Sequence, residues 1–232
     1  MAVSPTMKTP IPQCEHMSLH ARTMLGKFSS VTALDGLAGK LDAATVNLLT
    51  RQAAYDANVK ALIVARAEVK YVDVVADKEV RMGLRVAELE DGEPGGRVST
   101  ALFPNGTTPI IKPVGSTQVK EMRALEGRYK EVESIFPAAA SERQKIAALR
   151  EQYEAALTAR SQGMEQGAQA RAARDLAKEE FLDVFAEVMN RVKAAFPRDK
   201  KTQEIFFLRT KASSPAGDVD EEEEDDDAPA DV

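Results

Sequence analysis

Residues 42–91, DAATVNLLTRQAAYDANVKALIVARAEVKYVDVVADKEVRMGLRVAELED, decide the fold. They hold no proline, their one glycine is Gly83, and no loop signal occurs before the pair Asp91-Gly92. Proline lacks a backbone N–H and crowds the preceding turn. A stretch this long without one, opened by Asp42 as a candidate N-cap, therefore predicts a very long helix. Val46, Leu49, Ala53, Val59, Leu62, Ile63, Val69 and Val72 give it an apolar stripe, and residues 59–76 are apolar on more than one face. That excess predicts the middle of the helix to be its most buried part. Residues 69–75 are also rich in valine and alternate in the manner of a strand, but the strongly helical flanks favour helix. The alternative is a break near residues 69–73 that folds the segment into a hairpin.

N-terminal to this segment, residues 1–30 are rich in Pro, Ser, Thr and Met and keep no sustained period. They read as a mobile arm with one short helical turn around residues 15–22. Thr32-Ala-Leu-Asp35 fits a capping box, and Leu34, Leu37 and Leu41 follow at helical spacing, which predicts a short docking helix.

C-terminal to it the signals change. Two short extended runs flank Asn105-Gly106, with Pro109 and Pro113 confining the second to irregular or edge-like geometry, so residues 93–114 read as a structured loop or small hairpin. A helix starts after Gly115, carries Val119, Met122, Leu125, Tyr129, Val132 and Ile135, and stops at Phe136-Pro137. Ser141-Glu-Arg-Gln144 caps another, with Ile146, Leu149, Tyr153 and Leu157 on one face. Gly163 and Gly167 mark either a turn or a thin section of one continuous helix. Beyond them Leu176, Phe181, Val184, Phe185, Val188, Met189 and Val192 form the cleanest amphipathic stripe, ending at Phe196-Pro197.

The chain has 232 residues, 44% apolar and 29% charged, with only 5% aromatic and no tryptophan. That composition suits thin helix-on-helix packing. Its one cysteine, Cys14, rules out an intramolecular disulfide and points to a reducing, cytoplasmic setting. Residues 1–13 lack the apolar core of a secretory signal, and no run approaches the roughly 20 apolar residues that span a bilayer, so no membrane association is expected. The net charge of −6 is unevenly spread. Ten of the 37 acidic residues lie from Asp218 onward, where no basic residue occurs, which leaves 27 against 31 basic residues in positions 1–217. A mildly basic body thus carries a strongly acidic tail.

The most site-like cluster is Cys14, His16 and His20 in the arm, which holds every His and Cys of the chain. On a helix His16 and His20 lie one turn apart, a spacing that lets two imidazoles reach one metal ion with Cys14 or Glu15 nearby. The alternative is two incidental histidines. A di-iron carboxylate site needs Glu-x-x-His motifs, and no histidine follows His20. No Ser or Cys of the body has a histidine partner, and Gly92 to Gly96 lacks the Lys-Ser/Thr of a phosphate loop. Asp73 and Asp77, or Glu179 and Glu180, read as solvated helix faces rather than acid–base pairs. Arg191, Lys193, Arg198, Lys200, Lys201, Arg209 and Lys211 surround Ile205-Phe206-Phe207-Leu208 just before the acidic run. Basic residues with interleaved aromatics could touch nucleic acid, with the tail as competitor, although the aromatics are better explained as packing back on the body.

The fold expected is all-α: an antiparallel bundle of three to four long helices over residues 31–212, with a hairpin-like insertion at 93–114, a flexible arm at 1–30 and a disordered acidic tail at 213–232. The function expected is that of a non-enzymatic helical scaffold or protein-interaction protein without a cofactor. It would bind protein partners, or itself if one helix face stays exposed, with a nucleic-acid-associated factor as the alternative.

Overall fold

A computed structural model describes residues 4–208; the acidic tail expected from residue 213 lies outside the described residues. Helix makes up 80% of the structure and no strand forms among the described residues. The helices are α1 (Ile11–Lys27), α2 (Leu37–Asp91), α3 (Arg97–Leu102), α4 (Thr108–Ile111), α5 (Ser116–Glu131), α6 (Ala139–Ala195) and α7 (Lys200–Ile205), with a 3-10 turn at Thr32–Leu34. The long segment is one helix without a break at 69–73, and it begins five residues before Asp42 because Leu37 and Leu41 belong to its buried face. Gly163 and Gly167 lie within α6, which also runs unbroken. None of the described helices is long and apolar enough to cross a membrane.

The chain divides into two compact units, Met1–Thr45 with Phe181–Val232, and Val46–Glu180. In the first, residues 11–27 form a helix where a mobile arm was expected. Pro10 and Pro12 sit at its start, where a missing N–H costs nothing, and Cys14, Met17, Ala21 and Leu25 make a buried stripe at steps of three and four. Pro10 and Pro12 resemble loop punctuation and mask this stripe in the sequence. In the same unit Leu34, Leu41, Phe181, Phe185, Val188 and Val192 are buried as well. Phe206 and Phe207 are buried here: Phe206 lies 4.8 Å from Phe28 and Phe207 lies 5.8 Å from Phe185, ring centre to ring centre. Ser18 and Thr45 share a buried 2.6 Å hydroxyl hydrogen bond, and Lys40 pairs with Glu187.

In the Val46–Glu180 unit α2 buries Val69, Val72, Ala76, Val80, Gly83 and Ala87, again at steps of three and four. Against them pack Val119, Met122, Leu125 and Tyr129 of α5 and Ile146, Tyr153 and Ala156 of α6. Residues 93–114 are not a hairpin but the two short helices α3 and α4, with one isolated bridge between Pro104 and Gly106. Two features prevail over the Asn105-Gly106 turn signal. The Asp91 carboxylate accepts the Val98 and Ser99 N–H groups at 2.8 Å each and so caps α3. Val98 and Leu102, one turn apart, enter the core. Burial alone would raise the Asp91 pKa, but the donations from Ser99 and Val98 hold it below the usual range.

Gly83 provides the closest approach in this core. A Cβ there would overlap the Tyr129 hydroxyl, which is buried without a hydrogen-bond partner among the described residues. Burial, with Glu142 and Glu79 nearby, pushes that phenol far above its ordinary pKa. Gly83→Ala should cost about 1–3 kcal/mol by overpacking. Tyr129→Phe should be near neutral, because it removes an unpaired buried hydroxyl. Combined, the overlap is gone and Ala is the better helix former by about 1 kcal/mol, so Gly83→Ala should become stabilising in the Tyr129→Phe background. Urea unfolding of the four proteins checks the change of sign.

Candidate interaction surface

Contrary to the expectation from the sequence, the middle of α2 is not its most buried part. Ile63, Val64, Tyr71 and Val74 are 59%, 68%, 65% and 67% exposed, and among residues 49–68 none is fully buried. The apolar excess belongs to a second stripe on the side of α2 opposite the buried one. From Val46 it runs through Thr50, Ala53, Ala57, Lys60, Val64, Ala67, Tyr71 and Val74 to Lys78 in alternating steps of four and three, and every one of these residues is exposed. A strict alternation of three and four is the heptad pattern of a coiled-coil seam. One helix thus carries two seams, the buried one filled and this one open. The signal was present in the sequence, since residues 59–76 are apolar on two faces; what was missing was that a helix pair can cover only one of them.

The open seam is shallow and aliphatic. Alanines 53, 57 and 67 leave depressions, Tyr71 forms a ridge, and Lys60 and Lys78 interrupt the apolar surface. Beside it lie Ile63 and two opposite charges two turns either way, Asp56 and Lys70, both exposed. Asp56 accepts from the Gln52 side chain at 2.8 Å within its own helix. Surfaces of this composition bind other apolar faces.

On the side where α2 meets α6 lies a groove of about 460 Å³, whose walls include Tyr55, Val59, Leu62, Met164 and Arg171. Gly163 thins α6 there: a Cβ would touch Leu62 at 3.4 Å. The Arg174 guanidinium stacks 4.4 Å from the Tyr55 ring centre, and Arg171 donates to the Tyr55 hydroxyl at 3.4 Å. The hydrogen bond from Arg171 and its charge draw the Tyr55 pKa below its ordinary value.

Asp73 and Asp77, expected to be solvated, take part in bonds between helices. The Tyr153 hydroxyl donates to Asp73 at 2.8 Å and accepts the Gly115 N–H at 2.9 Å, while the Gln118 amide donates to Asp77 at 2.8 Å. Burial pushes the Tyr153 phenol up to about 12, so it remains a donor. Burial, then repulsion from Asp73, raises the Asp77 pKa. These contacts are part-buried and tie α2 to α5 and to α6, and α6 to the residue that precedes α5.

The three proposed metal ligands are not brought together. Cys14 is fully buried in the α1 stripe, His16 is exposed, and the His20 ring donates through Nε2 to the Ile205 carbonyl at 2.9 Å. Among the described residues no group of three or more His, Cys, Asp or Glu could hold a metal ion. Of the basic segment, Arg209 and Lys211 lie outside the described residues, and the rings of Phe206 and Phe207 are committed to the core. No family model, curated protein or solved structure matches the chain.

The Asp77 shift sets a pH dependence. A carboxyl whose folded pKa is raised favours folding while protonated, and that contribution is lost as pH rises from about 4 through the folded pKa. Asp77→Asn keeps an acceptor for Gln118 but cannot ionise. Its melting temperature relative to the unsubstituted protein should therefore be higher at pH 7 than at pH 3.5, as thermal melts followed by circular dichroism at the two pH values can measure.

Proposed function

We propose that this chain is a non-enzymatic helical scaffold that works by binding other protein surfaces, and that the open seam of α2 is where it does so. The single observation carrying this reading is the exposure of Val46, Val64, Tyr71 and Val74 in one heptad line on a helix whose opposite face is already buried. Exposed apolar residues scattered singly are ordinary; aligned over a continuous stripe they mark an interface.

The scaffold itself we take to be an antiparallel bundle in the Val46–Glu180 unit. Its support is the descending order of contacts along α6 as α2 ascends: Asn47 with Glu180, Tyr55 with Arg174, Leu62 with Gly163, Asp73 with Tyr153, and Glu79 with Lys145. A cytoplasmic setting belongs to the proposal too, resting on the single, buried Cys14.

Val64→Glu combined with Tyr71→Glu tests the reading. Both side chains point away from the core, so unfolding free energy should change by no more than about 0.5 kcal/mol per site. In native lysate the unsubstituted chain should elute well above its monomer mass and the double variant at it. Elution of both at the monomer position would refute the interaction role.

A further inference from the structure

The occupant of the open seam can be argued from the seam itself. We propose that it is a second copy of this chain, whose α2 lies antiparallel against the first with the two-fold axis passing near residue 62; this deepens the interaction reading and rests on it.

In that register each large residue meets a small or flexible one. Tyr71 lies over Ala53 of the second copy, Ala57 over Ala67, Val74 over Thr50, and Val64 against the aliphatic stem of Lys60. Each contact occurs twice, as a two-fold interface requires. The flanking charges are complementary in the same register: Asp56 faces Lys70 of the second copy and Lys70 faces its Asp56, with the two Ile63 side chains meeting between them. A parallel pairing of the same seam does the opposite. It sets Lys60 on Lys60 and Lys78 on Lys78, stacks Tyr71 on Tyr71, and leaves voids where Ala53 and Ala57 meet themselves. Polar residues at seam positions are a known means of fixing orientation, and the two lysines reject the parallel arrangement while their stems cover apolar neighbours in the antiparallel one. The contact from Val46 to Lys78 is about 50 Å long at 1.5 Å per residue, enough for several heptads. Every residue of it belongs to the Val46–Glu180 unit and is exposed there.

The test uses the full chain, purified. Sedimentation should show a reversible monomer–dimer equilibrium. Asp56→Lys should weaken it at least about tenfold, because two attractions become repulsions, and Asp56→Lys with Lys70→Asp should restore it. For orientation, Ala53→Cys and Tyr71→Cys chains are mixed and treated with a short thiol cross-linker. Cross-linked dimers should form in the mixture and not in either chain alone. A purified chain that stays monomeric up to its solubility limit overturns self-pairing, as does dimerisation indifferent to the charge swap. Cross-linking of Tyr71→Cys with itself overturns the antiparallel register. A monomer when pure that is nevertheless large in native lysate refutes the self-pairing alone and leaves the interaction reading standing; monomer in both refutes the two together.

Discussion

The Val46–Glu180 unit depends on one constraint: α2 must bury the stripe Val69, Val72, Ala76, Val80, Gly83 and Ala87, and a rigid helix that turns this stripe inward turns everything opposite it outward. The buried stripe is built of small and β-branched residues, which lets bulky partners come close. Tyr129, whose ring lies 6.4 Å from that of Phe136, fills the space that Gly83 leaves, and Tyr153 of α6 belongs to the same core. Apolar contact supplies the driving force, at roughly 25 cal/mol per Å² removed from water. Polar bonds then select one register from the several that smooth apolar faces would allow: Tyr153 to Asp73, Gln118 to Asp77, and Arg150 to Glu126 at 2.5 Å.

Once the inward face is fixed, the outward one follows. The backbone hydrogen bonds of α2 hold Val64, Tyr71 and Val74 about half a turn from Val69, Val72 and Ala76. No rotation of the helix can hide both sets against the same neighbours. The exposure of the second stripe is in this sense a consequence of helix geometry applied to a sequence with more apolar residues than one face can hold. The groove around Tyr55 and Arg171 belongs to the thinner stretch of the α2 and α6 pair, where alanines and Gly163 allow close approach with little side-chain mass to bury.

Much of the fold was legible in the sequence. The absence of proline from residues 42–91 announced α2, and the spacing of Val119 to Tyr129 and of Phe181 to Val192 marked helix faces that the structure buries. Three things were not. The α1 stripe of Cys14, Met17, Ala21 and Leu25 is short and starts at prolines, so its period does not stand above the loop signals around it. Asn105-Gly106 promised a hairpin, but the capping of α3 by Asp91 depends on a bond seven and eight residues away that no local pattern shows. Apolar residues on two faces of α2 suggest depth of burial, but a sequence carries the amount of apolar surface and not the number of neighbours available to cover it. The spacing of Cys14, His16 and His20 does not show where each side chain goes: Cys14 is buried in the α1 stripe, His16 is exposed, and His20 donates to the Ile205 carbonyl.

The two-faced character of α2 is tested most directly by native-state thiol labelling of single cysteines placed along it in dilute solution, since the natural Cys14 is fully buried. Cysteines replacing Val64, Tyr71 and Val74 should react at close to the rate of an unfolded thiol, while those replacing Val72 and Ala76 should be slowed by orders of magnitude. Uniform protection from residue 64 to residue 76 would contradict it, because that is the signature of a helix buried on all sides.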